Sequence, residues 1–308
     1  MNLKKLVYGM YMYPAILAQK YIQLGTNIFE KNWDTLIILD ACRTDAIKRV
    51  APEYDFIESV DSIWSVGSTS KEWYLHTFQS RDVTDVSLVS GNGWTKHLFE
   101  TEPDWKYWTA TRNSIWHSIS ALDAPLQRSL PASEDFYSYV PVVGDHGADL
   151  GTTPLPDEVT DAAIHEHRRV APKKMIIHYM QPHEPYVQKQ NDGELLDMHA
   201  HPLDSLEAGN ASRKEVYSAY IENLREALNS VSRLLRNIDS ERVAITADHG
   251  ELFGEWNGYA HPAAFPHPAV RKVPWIITHA SNIANEEVDP PRQIEASAKE
   301  RLSDLGYL

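Results

Sequence analysis

Five short, uninterrupted apolar runs set the architecture of this chain: TLIILD (35–40), VSLVSG (86–91), KMIIHYM (174–180), VAITAD (243–248) and PWIITH (274–279). A strand with one wet face alternates apolar and polar residues. Continuous runs of this length instead suit parallel strands covered by helices on both faces. Helical material lies between them. Tyr217, Ile221, Leu224, Leu228, Val231 and Leu235 recur at a spacing that lines one face of a long amphipathic helix leading into VAITAD. The expected fold is α/β: a doubly wound, mostly parallel sheet flanked by helices. At 308 residues one large core is within reach. The expected organisation is an N-terminal helical segment over 1–33, an α/β catalytic domain over 34–280 and a C-terminal tail over 281–308.

In such sheets ligands lie beyond the carboxyl ends of the strands. The residues found there are Asp40 after the first run, His183 shortly after the third, and Asp248 with His249 after the fourth. All are metal-ligand or acid–base types, and an oxygen ligand beside an imidazole suits zinc, manganese or a similar divalent ion. An isolated Asp-His pair serves equally well as a cap or an ion pair. The chain carries its own control, because GDHGADLG (144–151) repeats the letters at Asp145, His146 and Gly147. That copy follows YSYVPVV and runs into TTPLP, with no strand-to-helix crossover expected around it, so it reads as a loop coincidence.

Cys42, the single cysteine, follows Asp40 by two residues. A phosphatase signature would need five residues between Cys and Arg, whereas six separate Cys42 from Arg49. A dehalogenase-type Asp-x-Asp would need an acid where Cys42 stands. Cys42 therefore reads as a small, half-buried neighbour of Asp40. One cysteine also rules out a disulfide framework or a multi-cysteine zinc site. Forty-three acidic against 29 basic residues, a net charge of −14, argue against nucleic acid as a partner. The first 25 residues hold two lysines and an apolar stretch broken by Tyr13, Pro14, Gln19 and Lys20. That stretch is too short and polar to span a bilayer and has no small-residue cleavage site. It is expected to pack as a helix on the core, with peripheral membrane contact the lesser reading and a cytoplasmic location implied.

Taken in order, LIILDACRTD, GSTSKEW, HYMQPHEPY, ITADHGELFGEW and AHPAAFPHPAVRKVPWII resemble the successive motifs of the sulfatase-like branch of the alkaline phosphatase superfamily, over roughly residues 34–278. The resemblance implies a metal at the strand ends and transfer or hydrolysis of phosphoryl or sulfuryl groups through a covalent intermediate. It places Asp40, Asp248 and His249 as metal ligands. It places Thr69 as both nucleophile and ligand, with Ser68 and Ser70 as rivals and a plain hydroxyl-rich turn as the alternative to all three. His183 and His261 match histidines that act on the transferred group or its leaving oxygen, and His267 is a companion. Arg43 is a candidate for the substrate anion, against pairing with Asp45 or Glu72.

The departures matter too. A threonine cannot become formylglycine, which favours phosphoryl over sulfuryl transfer. Ala41 replaces a second acid, and Tyr179 replaces the Asp of two-metal relatives, so one ion is expected: zinc, manganese or calcium, with few oxygen ligands for calcium. The expected activity is metal-dependent hydrolysis or transfer of phosphate (or sulfate) esters. Its rivals are a sulfatase or sulfuryl transferase using an ordinary hydroxyl, and a catalytically silent metal-binding protein that recognises a glycan. The polar stretch 187–213 and the aromatic stretch 99–120 hint at a glycan or glycolipid head group as the ester's alcohol, although aromatics more often pack a core.

Overall fold

The computed structural model describes residues 10, 11, 14, 15, 17–19, 21, 22, 24–100, 129–146, 150–187 and 197–291. Among the described residues nine strands run in chain order: β1 Thr35–Leu39, β2 Asp61–Trp64, β3 Val86–Ser90, β4 Ser138–Pro141, β5 Lys174–Tyr179, β6 Ser240–Thr246, β7 Leu252–Phe253, β8 Tyr259–Ala260 and β9 Lys272–Ala280. Seven of them form one sheet in the order β2-β9-β6-β1-β5-β3-β4, and β7 and β8 form a small hairpin.

Side-chain direction explains why the runs are continuous. In β1, Ile37 and Leu39 enter one core and Leu36 and Ile38 the other, and all four are fully buried. Met175 and Ile177 of β5 join the first core and Ile176 the second; Val243 and Ile245 of β6 split from Ala244 in the same way. Both sheet faces are therefore dry, which is why no polar alternation shows. The first core is capped by residues of the helices Thr44–Val50, Pro156–Val170 and Arg213–Leu235, the second by those of Ser70–Phe78 and Trp94–Phe99. The long helix begins at Ser212, whose side chain accepts from Glu215 N while Glu215 reaches back, a capping box.

The expected α/β class and the five central runs match what is observed, with two differences. β9 lies antiparallel to β6, and β2 antiparallel to β9, so one edge of the sheet is mixed. β2 and β4 had no apolar run to announce them. Each is a four-residue strand at a sheet edge, partly exposed along its length, where continuous apolarity is not needed. The second Asp-His-Gly copy thus does follow a strand and precede a helix, contrary to expectation. The segments 101–128 and 188–196, holding most of the aromatic stretch and part of the polar excursion, lie outside the described residues, as does 292–308. Near the N-terminus, Ala15 and Leu17 pack against the second core, and Tyr11 Oη donates to the Ala264 carbonyl at 2.9 Å. No helix among the described residues is long and apolar enough to cross a membrane.

The turn after β1 is held from the long helix. Tyr220 Oη donates to the Ala41 carbonyl at 2.7 Å and accepts from Arg43 N at 2.9 Å. Ala41 itself sits at φ 57°, a left-handed conformation that costs a residue with a Cβ about 1–2 kcal/mol and persists where its surroundings over-determine it. Tyr220→Phe leaves both buried backbone groups unpaired and is expected to destabilise the protein by about 1–3 kcal/mol in urea unfolding. An unchanged midpoint would show that the turn does not depend on this hydroxyl.

Candidate active site

β1 and β6 are neighbouring parallel strands, so the residues just past their ends arrive at one place. Asp40, Asp248 and His249 are each 0% exposed, and one ligand atom from each lies within 4.8 Å of the others. Asp248 Oδ1 accepts from Ala41 N at 3.2 Å and from His249 N at 2.9 Å. Its other oxygen, Oδ2, has no hydrogen-bond partner, and neither has Asp40 Oδ1. These two oxygens stand 3.4 and 3.5 Å from His249 Nε2. His249 Nδ1 donates to the Gly250 carbonyl at 2.9 Å, and burial pushes the imidazole pKa down, so the ring is neutral with its Nε2 lone pair turned to the carboxylates.

Burial also works against the Asp40 carboxylate. The neighbouring imidazoles, His178 first with its Nε2 3.4 Å from Oδ2, outweigh it and hold the carboxyl well below the usual range. Buried carboxylate oxygens without donors are costly unless a cation meets them. The donor set therefore fits a divalent ion, and with one imidazole, two carboxylates and a hydroxyl it suits zinc or manganese better than calcium.

The hydroxyl comes from the first turn of the Ser70–Phe78 helix. Ser70 Oγ is 3.3 Å from Asp40 Oδ2 and 3.2 Å from His249 Nε2. Thr69, the expected nucleophile and ligand, is the N-cap of that helix: its Oγ1 accepts from Glu72 N at 3.1 Å. Ser68 is also engaged, donating to Glu72 Oε2 at 2.7 Å and accepting from Phe265 N at 3.1 Å. Of the three hydroxyls it is Ser70 whose contacts join the metal-type cluster. A signal for this was present, since Thr-x-x-Glu over 69–72 is a helix-start pattern that assigns the first residue to the cap. Glu72 also accepts from Ala264 N at 2.8 Å, tying this turn to the loop after β8. Gly67 and Gly250 are required by close packing rather than by a left-handed backbone: a Cβ would collide with the backbone of Trp73 at the first and of Ala269 at the second.

A second trio lies alongside. One ligand atom each of His183, Glu251 and His261 falls within 4.8 Å of the others. The His261 ring centroid is 4.3 Å from that of His249 and 5.1 Å from that of His183. Burial disfavours the His261 cation, but the adjacent Glu251 carboxylate, 3.1 Å from Nδ1, raises its pKa to about 9. His183 Nδ1 donates to the Glu184 carbonyl at 2.6 Å. Both histidines thus lie beside the Asp40, Asp248 and His249 cluster.

The two residues expected to bind substrate are engaged by the protein itself. Arg43 Nε and Nη2 bond both Asp45 oxygens at 2.8 Å, and Nη1 bonds Glu255 at 2.8 Å and the Glu251 carbonyl at 2.9 Å. That occupies four of its five N–H groups. His267 caps a helix: its Nδ1 accepts from Ala269 N at 3.0 Å at the start of the Pro268–Arg271 helix. Cys42 is fully buried, and burial pushes its thiol pKa well up, so it is no nucleophile. The second Asp-His-Gly copy stands apart, with Asp145 exposed and His146 Nε2 2.8 Å from Glu158.

Sequence reasoning missed two residues. Asn92 Nδ2 donates to Asp40 Oδ2 at 2.7 Å, and it lies just past β3, where the strand-end rule applies. His178 Nε2 is 3.4 Å from Asp40 Oδ2, with its Nδ1 2.5 Å from Tyr74 Oη. It is the one polar side chain in the middle of the IIHYM run.

No protein-family model matches the chain, and no curated protein matches it either. Solved structures do. The soluble domain of lipooligosaccharide phosphoethanolamine transferase A from Neisseria meningitidis is 14% identical, with 80% of this chain and 76% of that one covered and a TM-score of 0.47. The C-terminal periplasmic domain of a phosphoethanolamine transferase from Campylobacter jejuni is 10% identical, with 80% and 78% covered and a TM-score of 0.44. A corresponding Escherichia coli periplasmic domain in complex with zinc is 11% identical, with 82% and 75% covered and a TM-score of 0.38. Sulfatases and a phosphonate monoester hydrolase are also among the matches. These are members of the sulfatase-like branch that the motifs resemble. At these values the likeness is one of fold, so the chemistry has to be read from the side chains. The cytoplasmic expectation is corrected here: two of these matches are periplasmic domains, and the absence of a spanning helix from the described residues does not place a protein in the cytoplasm.

Proposed function

We propose that this chain is a metal-dependent enzyme that hydrolyses or transfers phosphate esters through a covalent intermediate on Ser70. One observation carries the reading: the Ser70 hydroxyl lies within hydrogen-bond distance of both Asp40 and His249, beside two buried carboxylate oxygens that lack a donor. Asp40, Asp248, His249 and Ser70 would hold the ion. When bound, it would lower the pKa of the coordinated hydroxyl and offset the negative charge of the ester.

The chain's own groups do the rest. Ser70 is the first residue of its helix, where the partial positive charge of the N-terminus favours an alkoxide. The hydroxyl gives up its proton to water, its oxygen bonds to phosphorus, and the ester P–O bond breaks. His261, kept protonated beside Glu251, supplies a proton to the departing oxygen, with His183 next to it as a second donor. An alcohol or water then gives its proton to His261 and attacks the phosphoserine; the bond from phosphorus to Ser70 Oγ breaks, and the serine oxygen takes a proton back from water. Asn92 and His178 fix Asp40 so that its free oxygen stays aimed at His249.

The test is turnover of metal-replete protein on p-nitrophenyl phosphate and p-nitrophenyl sulfate. The phosphate should react at least about tenfold faster in kcat/KM, a difference of about 1.4 kcal/mol in barrier. Faster sulfate turnover would reverse the assignment of the transferred group, and stoichiometric metal with no turnover on either ester would sink the enzymatic reading.

A further inference from the structure

The described residues between 10 and 21 are helical, and Ile22 N donates to the Ala18 carbonyl at 2.9 Å where the helix ends. This helix is fastened to the body of the protein. Ala15 and Leu17 pack against the second core, and Tyr11 Oη donates to the Ala264 carbonyl at 2.9 Å. Just past the helix, Arg271 Nη2 donates to the Leu24 carbonyl at 2.5 Å, and Thr26 N to the Trp64 carbonyl at 2.7 Å.

Its sides are the reverse of what water selects. A surface helix turns its apolar stripe to the core and its polar residues outward. Here Gln19 is the buried residue, 5% exposed, and its Oε1 lacks a hydrogen-bond partner. Met10, Tyr11, Pro14, Ala18, Tyr21 and Ile22 are exposed instead, Tyr21 at 75% and Ile22 at 57%. At ~100° per residue these positions fall within an arc of about 120°, and Ala15, Leu17 and Gln19 fall outside it. Single exposed apolar side chains are ordinary, whereas a stripe of them along one side of a helix marks a surface that something else covers.

Charge indicates the occupant. The first 29 residues of the sequence hold Lys4, Lys5 and Lys20 and no aspartate or glutamate, in a chain whose net charge is −14. A second copy would bring the same lysines to the same stripe, setting like charges together. An anionic bilayer offers hydrocarbon and opposite charge in one surface, and tyrosine, apolar in the ring and polar at the hydroxyl, suits the boundary between them. We propose that this helix lies in the surface of an anionic membrane, its exposed stripe sunk among the lipids and the lysines of the segment drawing it to the head groups. The contact is peripheral, because no helix among the described residues is long and apolar enough to cross a bilayer. It requires neither the ion nor turnover, and so stands apart from the ester chemistry.

The test is flotation of the full chain with vesicles of phosphatidylcholine containing roughly one-third phosphatidylglycerol. The wild-type protein should float with them, bind phosphatidylcholine vesicles at least about tenfold more weakly, and detach as salt is raised. Ile22→Asp should weaken binding to the anionic vesicles by about tenfold or more with an unchanged urea midpoint, since the side chain it replaces is exposed. Ile22→Ser, which adds no charge, should bind between the two. Lys4→Glu with Lys5→Glu should abolish the preference for phosphatidylglycerol. A wild-type protein that stays with the aqueous phase, or an Ile22→Asp protein that floats equally well, would overturn the membrane contact. So would a wild-type dimer in light scattering that Ile22→Asp converts to a monomer, because the stripe would then be covered by a second copy.

Discussion

Ser70→Ala should lower kcat/KM on a phosphate monoester by about a thousandfold or more, whereas Thr69→Ala should change it by less than about tenfold while costing about 1 kcal/mol of stability. The two residues are adjacent hydroxyls on one turn, and the prediction depends on which way each points. Ser70 Oγ reaches Asp40 and His249, both fully buried, so on the proposed mechanism its removal takes the nucleophile and one donor from the cluster at once. Thr69 Oγ1 satisfies Glu72 N at the start of the helix. Its removal frays that turn, and it shows as a lower melting temperature. Activity on the two variants, with their unfolding midpoints, separates the roles. The reverse pattern, with Thr69→Ala inactive and Ser70→Ala near wild type, would return the nucleophile to Thr69. Intact-mass detection of a phosphorylated protein, with the adduct mapped to residue 70, is the positive counterpart.

That pair of residues shows where sequence stops being enough. The sheet was legible because central strands with two dry faces are apolar at every position, as β1 is, while β2 and β4 at the edges keep partly exposed side chains and leave no run to read. Asp40, Asp248 and His249 were legible for a related reason: topology, and not sequence distance, gathers whatever follows the carboxyl ends of neighbouring parallel strands. Which of Ser68, Thr69 and Ser70 faces the cluster depends on where the helix starts, a matter of one residue that the Thr-x-x-Glu cap decides. Arg43 could not be separated from a substrate-binding arginine, because Glu255, one of its partners, is 212 residues away in sequence. His178 was hidden by its setting, since a histidine in an apolar run looks like a core residue until Asp40 and Tyr74 are seen on either side of it.

Withdrawing the ion should destabilise the wild-type protein, and Asp248→Asn should remove that dependence. In the folded chain Asp40 Oδ1 and Asp248 Oδ2 are buried, without donors, and close to the same imidazole nitrogen. Two buried carboxylates facing one another are unfavourable without a counter-charge. An ion that binds only the native state adds about 2.7 kcal/mol at a free concentration near 100 Kd. In thermal unfolding that is a rise of about 5–10 °C, at roughly 2–4 °C per kcal/mol for a chain of this size class. In Asp248→Asn the amide oxygen still accepts from Ala41 N and His249 N, the bonds now made to Asp248 Oδ1. Those two donors fix its orientation, so the amide NH₂ takes the Oδ2 position and can donate to the free oxygen of Asp40. The metal-free variant should therefore melt above the metal-free wild type, yet gain little when zinc or manganese is added, and bind less than one equivalent by metal analysis. Equal metal-dependent shifts in the two proteins would remove Asp248 from the ligand set. A variant that melts below the metal-free wild type would show that the buried carboxylate pair is not strained in the way its unpartnered oxygens imply.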